Sequence, residues 1–166
     1  MGIFKVILLS WLILSFTTQA DTLVLSKQLK LDYPAPLLIS HTKSTLIIKY
    51  KDTSISHNIL DPKDMYANVD LTGYQKDYIY TLFDKKPNKT LPKPIMKLAE
   101  QQKTTMGLTK QKGLIKEAVN YELLASYDDS LDIGHIFLLE DKQIQHFAID
   151  GTHEFLTKVF NGIKER

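Results

Sequence analysis

Five histidines are the first residues in this chain that could do chemistry: His41, His57, His135, His146 and His153. Imidazole ligates metals, and it is the side chain that changes charge near neutral pH. His135 and His146 come closest to forming a pair. Each lies in an apolar run, residues 134–140 and 143–149, and the runs are separated by Asp141-Lys142. A two-residue loop closes a hairpin. That register sets Leu139 against Ile144, Phe137 against His146 and His135 against Ala148. The two histidines then share one face of a sheet, diagonally placed. A metal site requires three or four ligands, and the chain has no HExxH or other ligand-spaced pair. The expectation is therefore hydrogen-bonded, partly buried histidines, with no metal and no cofactor.

Other constellations fail on spacing. Asp128-Asp129-Ser130-Leu131-Asp132 starts like a calcium loop, but Ile133 stands where glycine is required and Leu139 where the bidentate glutamate belongs. The segment reads as a polar turn. No GxSxG elbow and no cysteine offers a nucleophile, and neither GxGxxG nor GxxxxGK[ST] is present. Paired carboxylates that meet only in the fold leave a small hydrolase as one alternative.

The remaining chemistry is charge. Residues 85–116 hold nine lysines and a single acid, Glu100, so this segment carries +8 while the whole chain carries only +2. Lys85, Lys86, Lys89, Lys93 and Lys97 are the candidate contacts for an anionic partner, either an acidic protein or an anionic component of the cell envelope. A solvated lysine loop that discourages aggregation is the competing expectation. The segment has neither arginine nor aromatic residues. It lacks bidentate base contacts and stacking platforms, so nucleic acid is not expected.

The elements that position these residues are legible from periodicity. Residues 120–127 alternate with a period of two, which is a strand. With the hairpin above they form three strands whose faces both carry large apolar groups, so the sheet requires cover on two sides. Phe155, Leu156, Val159, Phe160 and Ile163 make a helical stripe behind the N-cap Thr152, and the helix is expected to run to Lys164 in its last turn. Residues 45–50 and 54–60 read as an earlier hairpin and residues 37–40 as a short strand. Residues 23–31 read as one edge strand or arm, stopped by Tyr33-Pro34-Ala35-Pro36. Thr72 with Gln75 suggests a capping box for a helix carrying Tyr74, Tyr78, Ile79, Leu82 and Phe83. Pro94 opens another helix to about Gln102. Residues 104–113 read as loop, and residues 114–119 fit helix or strand.

Lys5, the apolar run at 6–16 and Thr18-Gln19-Ala20 have the order of a secretory signal peptide. Residues 1–20 are expected to be removed, leaving 21–166 as one domain with no membrane span. A cysteine-free secreted chain of this size suits a bacterial periplasm.

The closing stretch, residues 131–166, resembles the end of the PsbP/Mog1-like superfamily. The matching pieces are the hairpin of residues 134–149, the turn Asp150-Gly151-Thr152 and the helix of residues 155–163. The resemblance implies an α+β fold in which an antiparallel sheet is covered by helices on both faces, an α/β/α sandwich. It also implies a non-enzymatic role assisting or binding another protein. It carries over no functional residue. The alternative function is a small-ligand carrier, with a pocket between sheet and helices lined by Tyr74, Tyr78 and Phe147.

Overall fold

The computed structural model describes residues 20–66 and 69–166. Along them run Ala20–Val24 (β1), Leu29–Pro34 (β2), Leu38–His41 (β3), Leu46–Lys49 (β4) and Ser54–Ile59 (β5). Two helices follow, Gln75–Leu82 (α1) and Lys93–Thr105 (α2). Then come Leu114–Glu117 (β6), Glu122–Asp128 (β7), Ile133–Leu139 (β8) and Ile144–Asp150 (β9). His153–Gly162 (α3) and Ile163–Glu165 (β10) complete the chain. The fold is mixed α+β with antiparallel sheets. Seven strands form one sheet in the order β3-β4-β5-β9-β8-β7-β6, and three form another in the order β1-β2-β10.

The hairpin around Asp141-Lys142 has the expected register. Leu139 pairs with Ile144, Phe137 with His146 and His135 with Ala148. Alternation then sorts the side chains of β8. Ile136 and Leu138 join Phe147 and Ile149 in one apolar cluster, with Leu156, Val159 and Phe160 of α3 and Leu29 and Leu31 of β2. Phe137 and Leu139 join Leu124 in a second cluster, with Ile79 and Leu82 of α1 and Ile95 and Ala99 of α2. Each fully buried side chain of this size stabilises the fold by roughly 1.5–3 kcal/mol. A one-residue slip of β8 would exchange the two sets, so its register is strongly specified. Among the described residues no helix is long and apolar enough to cross a membrane.

Several local expectations are corrected. Residues 23–31 do not form one arm. They divide between β1 and β2, because Leu25 and Ser26 donate backbone hydrogen bonds to the Leu29 carbonyl and close a tight turn. Tyr33 and Pro34 continue β2. The Thr72 capping box does not form: Thr72 donates its backbone N–H to the Asp70 carboxylate, and α1 starts behind Tyr74 with no side-chain cap. The last helix ends at Gly162, and Ile163 and Lys164 belong to β10, paired with Leu31 and Lys30 of β2. Lys164 therefore serves an ion pair with Asp32 at 2.7 Å, not the helix dipole. Residues 114–117, which fit two readings, are a strand because they pair with β7. Thr152 is the N-cap expected, its hydroxyl accepting from the Phe155 N–H. The signal-peptide expectation for residues 1–20 lies outside the described residues, apart from Ala20, which starts β1 opposite Pro34.

Candidate functional site

The lysine segment runs from the end of α1 through α2. Asp77, nearly buried in the first turn of α1, holds its beginning: one carboxylate oxygen accepts the backbone N–H groups of Asn88 (2.6 Å) and Lys89 (3.2 Å). The Lys-Pro connector is thus tied to the helix it follows, although it has no secondary structure of its own.

The five candidate lysines separate into two groups. Lys85 is half-buried, and its Nζ donates to Glu117 (2.6 Å) and Glu122 (2.5 Å). Tyr80 donates its hydroxyl to the same Glu122 at 2.5 Å. Burial opposes charging Glu122, but these two donors outweigh it and hold the carboxyl below its usual range. The same ion pairs outweigh burial at Lys85 and raise its pKa. Burial and the adjacent carboxylate push the Tyr80 hydroxyl up to about 12. Lys85 is consumed by this internal network. Lys86, Lys89, Lys93 and Lys97 are all exposed. Lys89 reaches the Gly73 carbonyl at 3.1 Å and lies over the Tyr74 ring. No carboxylate lies within ion-pair distance of these four among the described residues. Lys103, further along α2, is neutralised by Asp84 at 2.7 Å.

Among the described residues, Tyr74 and Tyr78 do not meet Phe147 around one space. Tyr78 and Phe147 are both fully buried, and they belong to different apolar clusters. Alternation along β9 sends Phe147 towards α3, away from the tyrosines of α1. One cavity on the α1–α2 side has a different lining. It measures about 170 Å³ and is lined by His135, His146 and Phe137 from the sheet, Met65 and Tyr66 from the loop after β5, and Met106 beyond the end of α2. None of its lining residues is acidic or basic at neutral pH apart from the two imidazoles.

The histidine pair expected from the register is present. His135 Nδ1 and His146 Nε2 are 3.1 Å apart, so one donates to the other. The rings are 13° from parallel with centroids 5.3 Å apart, which places both facing nitrogens almost on the line between the centroids. Each ring keeps a second nitrogen without a hydrogen-bond partner among the described residues. Ser126, directly opposite His135 in the ladder, has a buried hydroxyl that also lacks a partner. Burial lowers both imidazole pKa values, His146 down to about 3, where the neighbouring His135 and His57 add to the effect.

A second polar chain, which periodicity does not reveal, crosses the opposite face. Gln145 is fully buried. Its carbonyl oxygen meets His57 Nε2 at 2.7 Å, and its amide donates to the Leu25 carbonyl (3.2 Å) and to Glu140 (2.9 Å). The one sequence signal was a glutamine on the same face of β9 as the apolar Phe147 and Ile149. Among the described residues no group of three or more His, Cys, Asp or Glu side chains converges. Comparison of the chain with protein-family models, with characterised proteins and with solved structures finds no significant match.

Proposed function

We propose that the protein is a secreted, periplasmic accessory domain that performs no catalysis and binds an anionic partner through Lys86, Lys89, Lys93 and Lys97. The partner class is an acidic protein or an anionic envelope component. One contrast carries this reading: Lys85 and Lys103 are neutralised by the protein's own carboxylates, whereas these four neighbours have none in range among the described residues. The start of α2 adds support. Lys93 is its first residue and no acid lies in its first turn, an arrangement unfavourable to the helix dipole. Stability gives no reason for a cation there; recognition of an anion does.

The architecture is compatible with a PsbP/Mog1-like α/β/α sandwich, the reading that implies service to another protein. Side chains of α1 and α2 belong to one apolar cluster and those of α3 to another, and alternate residues of β8 join them.

The test is capture from periplasmic extract at low and high salt, with the K86E/K89E/K93E/K97E variant beside the unaltered protein. Lys85 stays in place because its loss would leave Glu117 and Glu122 unpaired. The expected result is a stoichiometric partner that is released by salt and bound at least about tenfold more weakly by the variant, since complementary charge sets such contacts. Equal capture by both proteins would remove the lysine face from the interaction.

A further inference from the structure

We propose that the cavity between β8, β9 and the end of α2 is a binding site for a soft monovalent cation, Cu(I) in its chemistry, held by His135 Nδ1 and His146 Nε2 with thioether support from Met106 and Met65. Two histidines and two methionines, residues that carry imidazole nitrogen and thioether sulfur, line one space of about 170 Å³. Thioether and imidazole together suit Cu(I), whereas oxygen donors suit harder ions. The charge of the wall selects further. Among the described residues no carboxylate and no thiolate lines the cavity. A divalent ion there would keep its charge largely uncompensated in a poorly solvated place. A monovalent ion held by neutral donors avoids most of that cost.

The geometry of the pair is close to what such an ion demands. Metal–imidazole bonds of about 2.0 Å place two ligand nitrogens roughly 3.5 Å apart in a three-coordinate site and roughly 4 Å apart in a linear one. The observed separation is 3.1 Å. Opening the pair by about half an ångström to one ångström therefore admits the ion, and the adjoining cavity supplies the room. Both rings already present facing nitrogens along one line. The proton that now joins them must leave that line. The donating ring carries it instead on its own far nitrogen, by exchange through water, so that two neutral imidazoles bind one cation and no net proton is released. Those far nitrogens have no partner among the described residues and are free to carry it. The sheet fixes the backbone under both ligands, because His135 and His146 sit on the paired central strands β8 and β9, and the opening is left to side-chain rotation.

The test uses the purified protein under anaerobic conditions, competing for Cu(I) with bicinchoninate. Ag(I) serves as a second, redox-inert probe, followed by NMR of the imidazole nitrogens. The inference expects one Cu(I) per chain and Ag(I)-induced shifts confined to His135 and His146. His146→Gln should weaken binding about 100-fold or more, since even outer-shell changes cost 10–100-fold. Met106→Leu, which conserves volume and keeps the core packed, should weaken it about tenfold. Zn(II) should bind more weakly than Cu(I). The inference is overturned if the unaltered protein takes no Cu(I) from the competitor. It is equally overturned if the folded Met106→Leu and His146→Gln proteins compete as well as the parent, or if Ag(I) leaves both imidazoles unmoved.

Discussion

At the scale of the residue, the informative groups are the polar ones the fold has buried. Gln145 satisfies an imidazole, a backbone carbonyl and a carboxylate at once. Gln145→Ala leaves all three without it and opens a void, so urea denaturation should show a loss of about 2–4 kcal/mol. Gln143→Ala removes only a peripheral donor to Glu140, and the same measurement should change by less than about 0.5–1 kcal/mol. The histidines make a prediction about pH. Burial lowers the pKa of His57, His135 and His146 below the ordinary 6.5. The unfolded chain therefore binds more protons than the native one once the pH drops below about 6.5. Stability is complete above that pH and declines as the pH falls towards the folded pKa values. Denaturation midpoints at pH 7.5, 6.5, 5.5 and 4.5 should fall in that order, and imidazole NMR should find His146 still neutral at pH 5.

At the scale of the element, two joints hold the secondary structures to one another. Gly107 follows α2 with a φ of 73°, and a Cβ there would collide with the Tyr127 carbonyl oxygen on β7. Gln111 donates to that same carbonyl. Gly107→Ala combines a left-handed backbone with a clash against backbone that cannot rotate away. It should cost about 1–3 kcal/mol in thermal or chemical unfolding. The second joint is Asp32 on β2, which binds Lys164 of β10 at 2.7 Å and accepts from Thr22 of β1 at 2.9 Å. Lys164 and Thr22 hold its carboxyl down at about 2 against the ordinary 3.8. That stabilisation is fully present above about pH 3.8 and is lost as the pH falls towards 2. Asp32→Asn should lower stability at pH 7 and make the unfolding midpoint less sensitive to acid between pH 4 and pH 2.

At the scale of the molecule, the two ends of the large sheet differ. β6 ends in Lys116-Glu117, and charged residues discourage pairing with other chains. β3 reads Leu-Ile-Ser-His, is exposed at every position and, among the described residues, pairs only on its β4 side. Leu37, Leu38 and Ile39 are 74%, 55% and 49% exposed. This is the edge along which the protein should self-associate as its concentration rises. Ile39→Lys places a charge on the open edge at a site that buries little. Light scattering at high concentration should fall, while the unfolding midpoint moves by no more than about 0.5 kcal/mol equivalent.

Local pattern carried much of this fold. A period of two, a two-residue loop and a threonine before an apolar stripe define β7, β8, β9 and the start of α3, and the strand register alone sets His135 and His146 on one face of neighbouring strands. The lysine excess of residues 85–116 was equally plain, because composition does not depend on folding. Long-range partners were not legible. Whether residues 114–117 are a strand depends on β7, and where α3 stops depends on β2, whose edge captures Ile163–Glu165. Nothing in the spacing of Lys85 distinguishes it from Lys86; Glu117 and Glu122, more than thirty residues away, do. Phe147 and Tyr78 looked like partners by type, and the pleat of β9 separated them. Sequence by itself determined β7, β8, β9, the start of α3 and the charge each segment carries, since those follow from short-range sterics, periodicity and composition. Tertiary structure alone decided which lysines remain unpaired and that two methionines come to stand beside two histidines, because both follow from contacts between segments that no local rule connects.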